Sequence, residues 1–233
     1  ILENDWITYI LSTSGQSKAL RINASGINLV PPAPEKFATC RTETGGVTTY
    51  HQSKRIEFSP SPSSDEGNLT VTFTGGIKIL LTVKTFPAYI LFKVLEVTQI
   101  PAGQELLELN FIKLHLIGDD HSPIIGAVYS HDFVVTTTVL CPQIDANSAE
   151  ASGQYVSSAV YKAPEELTTA QAVLWGTPKD HWMELMSDLE IQFNLPHPLV
   201  GHIWMKCHHK LKASYLFVNL NADYVDDVID IAQ

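Results

Sequence analysis

The chain has 233 residues, enough for one large β-domain or two smaller ones with a sizeable core. Its formal charge of −10 and pI near 5.3 argue against a nucleic-acid or anionic-membrane partner, since either calls for a basic patch. No apolar run approaches the roughly 18 residues of a membrane-spanning helix; runs such as Ile79–Leu81 and Val134–Leu140 are strand-length.

Trp6–Leu11 predicts a first strand, Ser12–Gln16 a turn, and Lys18–Ile22 and Ile27–Val30 two further strands broken at Asn23-Ala24-Ser25-Gly26. Pro31-Pro32-Ala33-Pro34 reads as a rigid surface crossing in polyproline II form, with a ligand for a proline-reading module as the lesser option. Val47–Phe58 alternates loosely and suits a half-exposed strand. Ser59–Gly67 is rich in serine and proline and reads as a loop or hairpin tip. Asn68–Thr74 places Leu69, Val71 and Phe73 on one face, and Gly75-Gly76 signals a two-residue hairpin turn into a strand over Ile77–Phe86.

The chain is organised around Phe86–Ile117. In its first half Tyr89, Leu91, Lys93, Leu95 and Val97 share one face and Ile90, Phe92, Val94 and Glu96 the other. In its second half Leu107, Leu109, Phe111, Lys113 and His115 oppose Glu108, Asn110, Ile112, Leu114 and Leu116. Pro101-Ala102-Gly103 between the halves is turn chemistry. Both strands are apolar on nearly both faces, which places them in the middle of a packed sheet. Residues 68–117 therefore predict a four-strand antiparallel meander.

Further on, Ile124–Tyr129, Asp132–Leu140 and Gln154–Tyr161 predict strands, and Cys141–Ala149 a loop. Pro164 followed by Glu165-Glu166 suits the start of a short helix over Glu165–Leu174, with Trp175–His181 as a loop and Trp182–Leu189 as a second helix. Leu195-Pro196-His197-Pro198 is an extended crossing. Gly201–Lys206 and Ser214–Leu220 predict strands, and Asn221 caps a terminal helix whose Ala222, Val225, Val228, Ile229 and Ala232 share one face. Two regions follow. Residues 1–161 are nearly all β, and residues 162–233 mix helices with strands. The fold class expected is a mainly β chain, with a large antiparallel β-sandwich followed by a smaller α/β C-terminal segment.

Asn23-Ala24-Ser25 and Asn68-Leu69-Thr70 are N-glycosylation sequons, the second after a polar, exposed-looking stretch. The start at Ile1 reads either as an incomplete start or as the end left by removal of a signal peptide. With both sequons, secretion to the extracellular space is the preferred reading. The three cysteines, Cys40, Cys141 and Cys207, allow one disulfide, with Cys40–Cys141 as the pair to test, or buried free thiols.

His197, His202, Cys207, His208 and His209 are the densest group of metal-ligand types. On a strand Cys207 and His208 point apart, and Lys206 sits among them, so a polar strand face is preferred to a metal site; His202 and His208 are the weak metal candidates. Asn219, Asn221, Asp223, Asp227 and Asp230 only loosely resemble a calcium loop, and the helix reading explains them better. No nucleophile elbow, phosphate loop or dinucleotide fingerprint is present, and no cofactor is implied. The catalytic residues are not identified by any motif. Flat aromatic rings can stack on sugar C–H faces, which makes Trp175, Trp182, Trp204, Tyr129 and Tyr161 candidates for carbohydrate contact, although a core position is the commoner role for each.

The order of elements resembles the N-terminal β-supersandwich, similar to the galactose mutarotase fold, of glycoside-hydrolase-like proteins, where it runs into a (β/α)8 barrel. FPAYILFKVLEV and LLELNFIKLHLIG are similar to the central strands of the supersandwich. YKAPEELTTAQAVL and HWMELMSDLEIQFNLPHPLVGHIWMK resemble its linker to the barrel. SYLFVNLNADYVDDVIDIAQ resembles a first barrel strand and helix. The resemblance implies a secreted module of a carbohydrate-active protein that binds glycan or braces a catalytic barrel. In such enzymes the acting carboxylates come from later barrel strands, which this chain lacks, so the chain alone is expected to be without hydrolase activity. Two alternatives stand beside this. One is a structural protein that assembles through an apolar surface over residues 214–232, into an oligomer or filament or against a second chain. The other is a mutarotase-like epimerase using His115, His131 and Glu108.

Overall fold

The computed structural model describes residues 1–62, 65–122, 126–140, 144–151, 154–161, 170–195, 199–200 and 203–204. The chain divides into two compact units, Ile1–Asp188 and Leu189–Gln233. The first unit is mainly β and antiparallel. It opens with a three-stranded sheet of β1 (Leu2–Glu3), β2 (Ile7–Leu11) and β3 (Ser17–Ile22). Ile27–Val30, expected as a strand, makes only an isolated bridge between Arg21 and Asn28. There the Asn28 side chain takes a strand's place, accepting from the Leu20 amide at 3.1 Å.

The remaining strands of this unit are β4 (Thr39–Thr44), β5 (Val47–Pro60), β6 (Glu66–Phe73), β7 (Lys78–Thr85), β8 (Tyr89–Thr98), β9 (Glu105–Leu116), β10 (Asp120–Ser122), β11 (Ala127–Tyr129), β12 (Phe133–Val139), β13 (Ile144–Ala151), β14 (Gln154–Tyr161) and β15 (Gln171–Pro178). They form a twelve-stranded sheet in the order β10-β11-β12-β15-β8-β7-β6-β5-β4-β9-β14-β13. The 14-residue β5 serves two neighbours. Its first half pairs with β4 and its second with β6, with a register shift between Ser53 and Arg55. A bulge bends a strand and raises its twist. The sheet curls so far that β12 comes into contact with β13 and β14 near the other end of the order.

β6, β7 and β8 form the expected meander. Gly75 and Gly76 close its first turn with φ of 84° and 88°, a conformation glycine adopts without steric cost. The fourth strand departs from expectation. β8 pairs with β7 and β15, while β9 pairs with β4 and β14, so the Pro101-Ala102-Gly103 turn joins two strands that are not neighbours. The connector is held to β4 instead, where the Thr42 hydroxyl donates to Gln104 Oε1 at 2.9 Å. Both strands do lie mid-sheet, as their two apolar faces require.

Further segments depart from the sequence reading. Asp120–Ser122 is a short strand between the expected strands, and Ile144–Ala151 is a strand that begins inside the expected loop Cys141–Ala149 and runs past it. Residues 171–178, expected as the end of a helix and the start of a loop, belong to β15. β15 is buried from Ala172 to Thr177 on both faces. Such a strand shows no alternation, and helix-start cues at Pro164–Glu166 then dominate a local reading. β15 also carries the first unit past the compositional change at residue 161.

The core gathers Leu69, Val71 and Phe73 from β6, Ile79, Leu81 and Val83 from β7, and Ile90, Phe92 and Val94 from β8 against β9 and the small sheet. Phe37 and Phe92 meet with ring centroids 6.0 Å apart. Helix α1 (Trp182–Gln192) follows β15. In the second unit β16 (Leu199–Val200) pairs with β17 (Ile203–Trp204). The expected strand Ser214–Leu220, the terminal helix and the surface over residues 214–232 lie outside the described residues.

Candidate functional site

A pocket of about 430 Å3 opens where the end of the small sheet meets the β11–β12 turn and the end of β15. That volume falls within the roughly 300–1,000 Å3 of small-ligand sites. Trp6, Ile22 and Ile27 come from the small sheet and its turn; Asp119, Ser130, His131, Asp132, Phe133 and Pro178 come from the large sheet. The apolar floor depends on Gly176. A Cβ at that position would lie 2.8 Å from the Phe133 ring and 2.9 Å from Ile7 Cγ2. Glycine here therefore leaves room for the ring of Phe133, a lining residue, and for the buried Ile7.

Local structure presents each wall. The Asn4 side chain accepts from the amides of Trp6 and Ile7 at 2.9 and 2.8 Å, an Asx turn that delivers Trp6 just ahead of β2. Across the pocket, the Ser130 amide donates to the Phe133 carbonyl at 2.8 Å, and the Phe133 amide donates to Ser130 Oγ at 3.1 Å. This tight turn projects His131 and Asp132. The Lys179 amide donates to the Asp132 carbonyl at 2.9 Å, which ties the turn to the end of β15.

His131 Nδ1 contacts Asp132 Oδ1, and both side chains stand in water at 91% and 88% exposure. A pair so solvated contributes little to stability, which leaves both groups able to engage a ligand. Trp6 stacks on His181 with centroids 6.2 Å apart and planes 30° from parallel. His181 in turn lies 3.8 Å from Asp180 and 3.7 Å from Glu184. Among the described lining residues there is neither lysine nor arginine, and the pocket joins an indole, an apolar surface and carboxylates.

The expected site residues scatter. Asn23 and Asn68 are both exposed, Asn23 in the turn after β3 and Asn68 on β6. Trp175 is fully buried, and its indole N–H donates to Thr138 Oγ1 at 2.9 Å, so it is a core side chain and offers no ring face to a sugar. Trp182 is half-buried at the start of α1, and Tyr129 is half-buried at the end of β11. Trp204 lies on β17 and Tyr161 on β14, where the backbone alone is described. Cys40 is a buried free thiol, pushed up to about 12 by burial, and Cys141 lies outside the described residues. His197, His202, Cys207, His208 and His209 lie outside them as well. Among the described residues no group of three or more His, Cys, Asp or Glu side chains could hold a metal ion.

Of the acid–base candidates, only His131 reaches the pocket. Glu108 pairs with Arg41 at 3.4 Å on the β4–β9 ladder, and His115 sits further along β9. Trp6, Asp119 and His181 carried no sequence signal of their own. Trp6 read as the first residue of a strand, and its place in a wall depends on strands more than a hundred residues away. No protein-family model matches the sequence, and no curated protein matches it.

Proposed function

We propose that the chain is a secreted, N-glycosylated β-sandwich module of a carbohydrate-active protein, and that the pocket between Trp6 and Asp132 holds the end of a neutral glycan. The observation that carries this is the union of an indole with carboxylates over an apolar floor. Sugars present C–H faces that favour an aromatic surface and hydroxyls that donate to carboxylates. With no lysine or arginine among the described lining residues, the carboxylates of Asp119 and Asp132 disfavour uronate and sulfated sugars. Bracing of a barrel is compatible with this role and acts through other surfaces. Both sequon asparagines are exposed, which suits glycosylation and secretion.

Titration with neutral gluco-, galacto- and N-acetylglucosamine oligosaccharides, with a uronate oligomer as control, tests the reading. A neutral sugar should bind and the uronate should not. Trp6→Ala and Asp132→Asn should each weaken binding tenfold or more; Asp132→Asn should leave the unfolding temperature close to that of the parent, and Trp6→Ala, which trims a side chain packed against the core, should lower it without unfolding the chain. Binding that survives both substitutions would place the site elsewhere.

His131 against Asp132 in the same pocket also favours an epimerase reading, in which the histidine takes the anomeric hydroxyl proton, the C1–O5 bond opens as a water protonates O5, and both transfers reverse when the ring closes on the other face. Polarimetry on a freshly dissolved pure anomer decides it. Mutarotation at the uncatalysed rate, or acceleration that His131→Ala leaves intact, ends this second reading.

A further inference from the structure

We infer that an N-linked glycan on Asn23 occupies this pocket in cis and closes it to free glycans; the inference rests on the pocket being a sugar site. Asn23 is not itself a lining residue, but it stands between residues that are. Ile22 before it and Ala24 and Ser25 after it are lining residues. Its backbone amide donates to the carbonyl of Trp6, the aromatic wall, at 2.9 Å. The turn that holds it is closed on itself: the Gly26 amide donates to Ile22 O at 2.7 Å, and the Ile22 amide to Ile27 O at 3.0 Å.

The carboxamide of Asn23 is already aimed. Its Oδ1 accepts from the Thr8 hydroxyl at 2.7 Å, and its Nδ2 donates to the Asn4 carbonyl at 2.7 Å. N-glycosylation replaces one of the two N–H bonds of Nδ2 and keeps the other. The Thr8 anchor on Oδ1 is therefore untouched by modification, one N–H remains on Nδ2, and the first N-acetylglucosamine leaves from an amide held beside Trp6. A ligand so tethered meets the site at an effective concentration in the mM range. The tether raises the apparent dissociation constant of a free sugar by the ratio of that concentration to the glycan's own dissociation constant, so closure requires the tethered glycan to bind well below that concentration. Asn68 provides the contrast. It is exposed on β6, and no residue of its sequon lines the pocket.

The test compares the unaltered chain made in a host that N-glycosylates secreted proteins with the same chain made in a host that does not, with Asn23 occupancy read by peptide mass. The probe is N,N′-diacetylchitobiose, the disaccharide that begins an N-glycan. The unglycosylated form should bind it at least tenfold more tightly, and the Trp6 indole proton resonance of the glycosylated form should sit near the position it takes in the sugar-bound unglycosylated form. Asn23→Gln in the glycosylating host should restore binding, and Asn68→Gln should not. Equal affinity of the two forms, with Asn23 occupied, overturns the inference and leaves the pocket reading standing. Failure of the unglycosylated form to bind chitobiose overturns the inference, and failure to bind any of the neutral oligosaccharides named above overturns the pocket reading with it. A bare Asn23 on the secreted chain overturns the inference alone.

Discussion

The β6–β7–β8 ladder and the β4–β9–β14 ladder are built from strands of similar composition and solve different problems. The first is local. Its strands follow one another through short connections, and Leu69, Val71, Phe73, Ile79, Leu81, Val83, Ile90, Phe92 and Val94 alternate inward, with a single slip at Leu95 opposite β7. The second is non-local and bulged. β9 slips against β4 near Leu107, and its register against β14 shifts between Phe111 and Leu114. Phe111 and Ile112 are buried consecutively, and Ile112 has φ of 54°. A β-branched residue in that region is an outlier and stores strain. In return the inward set changes from Leu109 and Phe111 to Ile112, Leu114 and Leu116, so that Lys113 and His115 are carried off the core face. The lesson is that one strained residue can replace a change of sequence pattern.

Inserting an alanine between Lys113 and Leu114 breaks this comparison most severely. The extra residue turns Leu114 and Leu116 away from the core and His115 toward it, and the chain should lose its cooperative thermal transition by circular dichroism. Inserting an alanine after Ala102 in the β8–β9 connector should leave that transition in place; if the two insertions behave alike, the register of β9 is not set within the strand. Next in size is Phe92→Ala, at the point where the first ladder meets Phe37. It removes a fully buried ring and should cost about 3–5 kcal/mol in denaturant unfolding.

Gly176→Ala sharpens the comparison at the pocket. The added methyl meets Phe133 and Ile7, so about 1–3 kcal/mol of overpacking cost is expected. Sugar binding should weaken at the same time as the floor shifts. An unchanged unfolding temperature with full binding would mean that the floor yields freely.

Cys40 on β4 gives the smallest effect. Burial raises its thiol from 9.0 to about 12, so the fold holds the neutral form. Its contribution is complete below pH 9 and is lost as pH rises through about 12. Stability of Cys40→Ala should therefore fall less steeply between pH 9 and 12 than that of the parent. Parallel slopes would show that the thiol does not ionise against the fold.

How much of this could be read locally depended on where each strand's partners lie. β6 to β8 and the Gly75-Gly76 turn follow from alternation and turn chemistry because their partners are adjacent in sequence. β15 was hidden because burial on both faces erases alternation. The absence of a β8–β9 hairpin was hidden because nothing in Pro101-Ala102-Gly103 says which strand will occupy the free edge of β8. The candidate site was hidden most fully. Trp6, Asp119 and Asp132 are ordinary residues at strand ends, and they acquire a shared chemistry only when the small sheet and the β11–β12 turn come together. His131 read as an acid–base candidate beside His115 and Glu108, and neither of those lines the pocket.

By itself, then, the sequence determined a mainly β chain, the mid-sheet burial of Phe86–Ile117, the acidic balance and the two sequons, because these depend on side-chain type and on periods of a few residues. Tertiary structure alone decided that β15 and not β9 pairs with β8, that β5 bends between two ladders, and that Trp6 faces Asp132 across a pocket beside Asn23. Those outcomes are settled by competition among many strands for the same backbone donors and acceptors and the same buried volume, and a local pattern carries no record of that competition.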